Sequence, residues 1–584
     1  MLTLHGTGIG GGVIVGRAVV LETRLIDVPR YRVEFAQRAG EAARLARAVA
    51  TVRTELETLG THLPADAPVE AQALLQVHAM ILDDPSLAPQ ATVAIESHGQ
   101  NAEWAFASQA EHLAAQFEQF DDPYLRERGR DVTQVADRVL RVLSGSGRAL
   151  RARALPGDVP LIFVAHDISP ADMLQLKHAG GFAIDLGGTA SHTAILARSM
   201  NVPAVVGLDR ASQMVRDDDW LVIDGDTGVL VVAPDAAVLE EYRHRMALGL
   251  LERKQLERLV HVPSATLDGV PIELLANIEL PAEAAQSREA GASGVGLFRT
   301  EFLFMNRREL PGEDEQYEAY REAVLGMAGG PVTIRTIDIG ADKALDGDDD
   351  GHGHGHGHDP VASPNPALGQ RAIRYSLAEP DVFLEQLRAI LRAAEHGPVR
   401  LLIPMLAHGH EVDQTLRLIA QAREQLSDRL RRPMPPVPVG GMIEVPAAAL
   451  TAPFFARRLD FLSIGTNDLV QYTLAIDRAD HAVSSLYDPF HPAVLQLVSQ
   501  TIRAGERAGK PVSVCGEMAG DLEATRLLIG MGLRVFSMHP ASLLRIKREI
   551  LRCDTGRLRT RVSRLLAADD PVRVQAGLER LREA

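Results

Sequence analysis

The stretch PVGGMIEVPAAALTAPFFARRLDFLSIGTNDLV, residues 438–470, reads as a strand, a short helical segment and a second strand. Each strand runs out in polar residues, Glu444 in one case and Asn467 with Asp468 in the other. The same unit recurs on both sides of it. Strand candidates are PIELLANI (271–278), GVGLFR (294–299), VTIRTID (332–338), VRLLIPML (399–406), PVGGMIEV (438–445), FLSIGTND (461–468), PVSVCGEM (511–518) and LRVFSM (533–538). Most are separated by helical periodicity, as in DVFLEQLRAILRAAEH (381–396) and EVDQTLRLIAQAREQL (411–426). Eight strand–helix units over residues 264–584 predict a (β/α)8 barrel.

Upstream, VLEEYRHRMALGLLERKQLERLV (238–260) is charged and helical throughout, and predicts a linker helix over 236–263. Before it come short strand-like runs: LIFVAHD (161–167), GFAIDLGG (181–188), PAVVGL (203–208), WLVIDGD (220–226) and GVLVV (228–232). GVIVGRAVVL (12–21) has the same character. Between them the composition changes to Ala, Leu, Arg, Glu and Gln, as in EFAQRAGEAARLARAVATVRTELETL (34–59). Residues 1–28 and 147–235 are therefore expected to form one α/β domain, with 29–146 inserted as a helical bundle. Breaks between its helices are expected near Pro64, Pro85 and Gly99.

The charge balance of 61 Lys+Arg against 77 Asp+Glu leaves −16, the wrong sign for a nucleic-acid footprint. An acidic surface suits a basic protein partner, and is equally an ordinary solubility device. Two cysteines, Cys515 and Cys553, exclude a disulfide scaffold. No apolar run reaches the roughly 18 residues of a membrane span, and the start lacks a signal-peptide pattern. A cytoplasmic protein without membrane insertion is expected. The segment DGDDDGHGHGHGHDP (346–360) is too rich in glycine for a packed structure, so it predicts a loop. Its four histidines at alternate positions are able to bind zinc or nickel.

Two groups of residues carry chemistry. In GGTASHTAILARSMNVPAVVG (187–207), two glycines follow a strand and His192 opens a helical run. A helix start offers free N–H groups and the positive end of the dipole, and both favour an anion. A neutral imidazole there is a competent nucleophile toward a phosphoryl group. In the barrel, chemistry belongs at the C-terminal strand ends. Those ends supply Arg299 with Thr300 and Glu301, Arg335 with Asp338 and Lys343, Glu444, Asn467 and Asp468, and Cys515 with Glu517. Arginines suit a small, dense phosphate- and carboxylate-bearing anion such as phosphoenolpyruvate. Glu444 and Asp468 suit Mg²⁺. Cys515 is placed to protonate a departing enolate as a general acid.

The motifs GGTASHTAILARSMNVPA, GVGLFRTEFLFM, RTIDIGADK, LGQRAIR, IEVPAA, SIGTNDLVQYTLAIDR and CGEMAGD, in this order, resemble Enzyme I of the bacterial phosphotransferase system over nearly the whole chain. The resemblance implies a swivelling phosphohistidine domain and a barrel that binds phosphoenolpyruvate. It implies that His192 is phosphorylated and that Arg299, Arg335, Arg371, Asn467 and Arg478 hold substrate. It implies that Glu444 and Asp468 hold Mg²⁺, that Cys515 donates the proton and that Ser169 orients the phosphohistidine. It further implies that the helical block, with VHAMILDDPSL (77–87), docks the phosphocarrier HPr, and that the barrel forms a homodimer. Ala341, Val445, Asn306 and His539 depart from the family pattern, none of them a principal chemical group. One imidazole serving both a substrate pocket and a carrier site requires a hinge motion.

Phosphoenolpyruvate synthase and pyruvate phosphate dikinase share the barrel and the histidine domain but need an ATP-binding domain several hundred residues larger. A nitrogen-related paralogue of Enzyme I carries an N-terminal sensory domain, so a chain opening on the α/β unit is expected to belong to the sugar branch.

Overall fold

The computed structural model describes residues 1–584 except 22–27, 62–68, 119–122, 146–158, 170–171, 174–175, 177–178, 189–191, 200–201, 305–309, 340–364, 478–482, 484–485 and 583–584. The chain forms two compact units, Met1–Arg253 and Lys254–Ala584.

The first unit is built on an eight-stranded sheet: β1 (Leu2–His5), β2 (Thr7–Ile9), β3 (Val13–Val20), β4 (Leu161–Ala165), β5 (Ala179–Ile184), β6 (Ala204–Val206), β7 (Trp220–Asp224) and β8 (Val229–Val232). Their spatial order is β1-β8-β7-β3-β4-β5-β6-β2. Strands β3 to β6 run parallel, while β1 and β2 close the two edges antiparallel to their neighbours. Parallel strands are covered on both faces, and their sequences are accordingly apolar at successive positions. Five helices, α1 (Arg38–Thr61), α2 (Val69–Leu82), α3 (Ala88–His98), α4 (Ala102–Glu118) and α5 (Pro123–Leu143), all fall between β3 and β4 in the chain.

On α1, Leu45, Ala48, Val52 and Leu56 recur at helical spacing and are buried. They join Phe106, Val139 and, from the sheet, Phe163, Phe182 and Ile184 in one core. The Phe163 and Phe182 rings stack at 6.1 Å. The other side of the sheet buries Ile162, Val164, Ala183 and Leu221. Val15, Val222 and Val231 pack under Val238, Leu239 and Tyr242 of the helix Ala236–Glu257. The arms of the helical block are tied where Val33 N–H donates to Gly99 O at 2.7 Å and Arg32 bridges Gln100.

The second unit is a closed, all-parallel barrel of β9 (Glu273–Ile278), β10 (Gly294–Arg299), β11 (Val332–Arg335), β12 (Val399–Ile403), β13 (Val439–Ile443), β14 (Phe461–Ile464), β15 (Val512–Val514) and β16 (Val535–Met538). It closes where Val535 pairs with Glu273. Leu297, Leu402, Met442, Phe461 and Cys515 form a small buried cluster of their own within it. Helices stop and start on local chemistry. Asp521 caps Leu522–Met531 by accepting Glu523 N–H at 2.7 Å, and Gly532 ends it at φ +110°.

The eight barrel strands are those expected, with shorter ends. FLSIGTND differs most. The strand stops at Ile464, Gly465 turns the chain, and Thr466–Leu474 is helical. Asn467 and Asp468 therefore sit in a first helical turn, where the dipole favours the carboxylate. The linker helix ends at Glu257 rather than near 263. Strands β1 and β2 were not expected, being too short to show alternation. The helical block breaks near Pro85 and at Gly99 as expected, while Pro64 lies outside the described residues. Among the described residues, no helix is long and apolar enough to cross a membrane.

Candidate active site

The C-terminal ends of the barrel strands bring three arginines and a set of carboxylates to one face. Arg335, the last residue of β11, forms ion pairs from Nη2 to Glu301 at 3.1 Å and from Nη1 to Asp338 at 3.3 Å. Burial opposes its charge, but Glu301, Asp338 and Glu444 outweigh that and hold it more firmly protonated than an ordinary arginine. Its Nε is buried, and among the described residues no acceptor reaches it. Arg371 forks onto Asp338, Nε at 3.0 Å and Nη2 at 2.9 Å. The same Nη2 lies 3.3 Å from Asp468, and Nη1 donates to the Tyr472 hydroxyl at 3.2 Å. Arg299, at the end of β10, pairs with Glu279 at 2.6 Å and is about one-third exposed, with its side chain at 33%.

Glu444 is buried at the end of β13. Its Oε1 accepts the backbone N–H of Met405 at 2.6 Å. Met405 holds that N–H in place with a left-handed backbone, φ +56°, unusual for a residue with a Cβ. Burial, then the charges of Asp468 and Asp338, push the Glu444 carboxyl up to about 8 despite Arg335 nearby. A carboxylate so disfavoured gains most from a cation, which is the fit a hard divalent metal requires. The space is made by glycine: a Cβ on Gly465 would lie 2.6 Å from Glu444 Oε2. Among the described residues, no three or more His, Cys, Asp or Glu side chains form a complete metal cage.

Cys515 follows β15 and is buried. Its Sγ lies 3.6 Å from Ile464 O. Burial pushes the thiol up to about 11, with Glu444 adding to the rise and Ser463, Arg335 and Arg299 opposing it. The group therefore carries its proton at neutral pH. Its carbonyl accepts Asn277 Nδ2 at 2.9 Å, and Asn277 Oδ1 accepts Ser537 Oγ at 2.5 Å. Asn467 is paired with Glu517, accepting its backbone N–H at 2.8 Å and donating to its side chain at 3.3 Å.

In the first unit His192 begins the helix His192–Ser199, after the β5 strand and Gly187-Gly188. Its side chain is outside the described residues. The next residue, Thr193, donates to Ile168 O at 3.4 Å, which places Ser169 beside the start of this helix. The Ser169 hydroxyl accepts Asp172 N–H at 3.1 Å.

Glu301, Asp338, Arg335, Arg371 and Asp468 are thus joined directly, with Glu444, Cys515 and Arg299 coupled to them electrostatically. Arg478, Lys343 and the histidine-rich loop lie outside the described residues. Sequence reasoning missed Met405, Tyr472 and Asn277. Tyr472 alone left a signal, one helical turn after Asp468 on the same helix.

Known proteins share this arrangement of segments. Residues 253–555 match the family described as PEP-utilising enzyme, PEP-binding domain. Residues 5–128 match PEP-utilising enzyme, N-terminal, and 157–228 match PEP-utilising enzyme, mobile domain. The chain is 56% identical over 589 aligned residues to a phosphoenolpyruvate-protein phosphotransferase of Cupriavidus necator, covering 99% of each chain. It is 37% identical to that of Geobacillus stearothermophilus over 98% of this chain and 97% of the relative. With a Staphylococcus aureus protein of the same name the identity is 36%, over 94% of each.

Proposed function

This chain belongs to the phosphoenolpyruvate-protein phosphotransferases, enzymes that move a phosphoryl group from phosphoenolpyruvate to protein, and from that premise we propose which of its residues do so. The observation that carries the reading is the buried arginine–carboxylate cluster at the barrel's strand ends. Arg335 and Arg371 are pre-oriented by Glu301, Asp338 and Asp468, so little reorganisation is left for the moment substrate binds. Among the described residues no group accepts from Arg335 Nε, which leaves that donor for substrate. The family resemblance assigns Arg299, Asn467 and Arg478 to the same task of gripping phosphate and carboxylate.

Glu444 and Asp468 are the residues that would hold Mg²⁺. When bound, the ion neutralises charge on the phosphoryl group. A nitrogen of neutral His192 attacks phosphorus in line, forming N–P as the P–O bond to the enol breaks. The enolate left behind takes a proton at carbon from the Cys515 thiol, giving pyruvate and a thiolate that water reprotonates. Ser169 orients phospho-His192. The group then passes to a histidine of HPr, docked on the helical block where Met80, in VHAMILDDPSL, is 63% exposed. The near absence of cysteine supports a cytoplasmic setting, and the family resemblance supports a barrel-mediated homodimer.

Incubation with phosphoenolpyruvate labelled at phosphorus tests the assignment. Acid-labile label must appear on His192, and must vanish when EDTA removes divalent cation. Label on another residue, or none, overturns it. Cys515→Ala should slow pyruvate formation by about 10²–10⁴-fold, the usual worth of a positioned acid. Transfer from phospho-His192 to HPr should stay at the wild-type rate. Quench-flow measurement of both half-reactions separates the two, and equal slowing of both removes Cys515 from the role.

A further inference from the structure

Behind the arginine cluster lies a chain of buried side-chain hydrogen bonds that no chemical step uses. At its centre is Gln386, in the middle of the helix Pro380–Ala393, 1% exposed. Its Oε1 accepts the backbone N–H of Ile337 at 3.0 Å. Its Nε2 donates to the Thr300 hydroxyl at 3.2 Å and to the Tyr320 hydroxyl at 3.1 Å. Thr300 in turn donates to the carbonyl of Arg335 at 2.9 Å. Tyr320 donates to Gln316 Oε1 at 3.1 Å, and Gln316 Nε2 donates to Pro311 O at 2.8 Å. Thr300 and Tyr320 are fully buried, and Gln316 is 1% exposed.

The direction of every bond is fixed. Each hydroxyl spends its single proton on a further acceptor, so each must receive a hydrogen bond from Gln386. The amide of Gln386 is thereby locked with its nitrogen toward both hydroxyls and its oxygen toward Ile337. The groups it holds adjoin the site. Thr300 stands between Arg299 and Glu301, and Ile337 precedes Asp338. On the opposite side the same turn is pinned by Glu301, whose Oε1 accepts Asp338 N–H at 2.8 Å.

We propose that Gln386 is the positioning residue that sets the register of Arg335 and Asp338 with respect to Arg299 and Glu301, and so determines affinity for phosphoenolpyruvate. This rests on the assignment of the substrate pocket above. Gln386 touches no reacting atom; it acts by fixing two backbone segments, each of which carries an anion-binding or arginine-holding group. A displacement of even about 1 Å in such groups can cost on the order of 10²-fold.

Gln386→Met keeps length and volume and removes both donors and the acceptor. In the full chain it should raise KM for phosphoenolpyruvate about tenfold or more, with a smaller change in kcat. Transfer from the phosphorylated chain to HPr should be unchanged. Tyr320→Phe keeps the ring edge-on to Phe298 at 5.9 Å and removes only the hydroxyl that helps orient the amide. It should raise KM about threefold, and it keeps the proposal testable should Gln386→Met fail to fold. A purely structural network would lower the melting temperature and leave KM alone. KM within about twofold of wild type in the folded variants overturns the positioning role. Arg335→Met measured alongside separates the two ideas. If it loses substrate while Gln386→Met keeps it, only the positioning role falls; if both bind as wild type, the pocket assignment falls with it.

Discussion

Replacing His192 by alanine should leave a chain that binds phosphoenolpyruvate and does not become phosphorylated. The proposed acceptor, His192, belongs to the unit Met1–Arg253, while the arginines and carboxylates of the proposed pocket belong to Lys254–Ala584. Removing the imidazole therefore takes away the nucleophile without touching a residue that grips substrate. A replacement acceptor would have to reach phosphorus in line and carry an unshared pair at neutral pH, which alanine does not offer. Acid-labile label should fall to background. Calorimetric titration of His192→Ala with phosphoenolpyruvate and Mg²⁺ should give the heat and affinity of a binding-only protein. Phosphorylation of the variant at the wild-type rate would remove His192 from the mechanism.

Arg335→Met should lower kcat/KM for phosphoenolpyruvate by at least about 10³-fold, and should destabilise the barrel as well. A single preorganised donor at a developing charge is worth on the order of 10²–10³-fold in rate, and Arg335 also contributes ground-state affinity. The stability effect has a separate origin. Glu301 and Asp338 are both buried and both spend oxygens on this guanidinium. Breaking a buried ion pair from one side typically costs about 3–5 kcal/mol, because the remaining charges are stranded. Arg335→Lys should recover part of the stability and little of the activity. One ammonium cannot span Glu301 and Asp338 and still present a planar fork to substrate. Steady-state kinetics with a thermal melt of the same preparations checks both. A melt unchanged from wild type in Arg335→Met contradicts the buried-pair argument.

The barrel and the placing of its rim residues were legible in the sequence, and the reasons are physical. A parallel barrel buries its strands on both faces, so each strand leaves an apolar run, and its rim leaves a polar residue where burial ends. Glu444, Arg299, Arg335 and Cys515 stand at those transitions and were found there. Asp468 was found too, but as a strand end, although Gly465 had already released the chain into a helix. Other groups had no such signature. Gln386 meets Thr300 across 86 positions and Ile337 across 49. Within its own helix it reads as one more polar position on an amphipathic face. Met405 contributes only a backbone N–H, made useful by a left-handed φ that side-chain chemistry does not announce. Strands β1 and β2 are four and three residues long, below what alternation reveals, and take their identity from the partners they pair with.

Those two strands also order events on the ribosome. Leu2–His5 pairs with Val229–Val232, and Thr7–Ile9 with Ala204–Val206, so both edges of the sheet wait for segments made some two hundred residues later. At about 5–20 residues per second the delay is on the order of 10–45 s. The five helices inserted between β3 and β4 have their mutual contacts complete well before then. The nascent chain thus carries, for that interval, helices already in contact with one another beside edge strands whose partners are not yet made. An unpaired strand edge in that interval is open to a wrong partner, so mispairing of this sheet can precede any folding of the barrel.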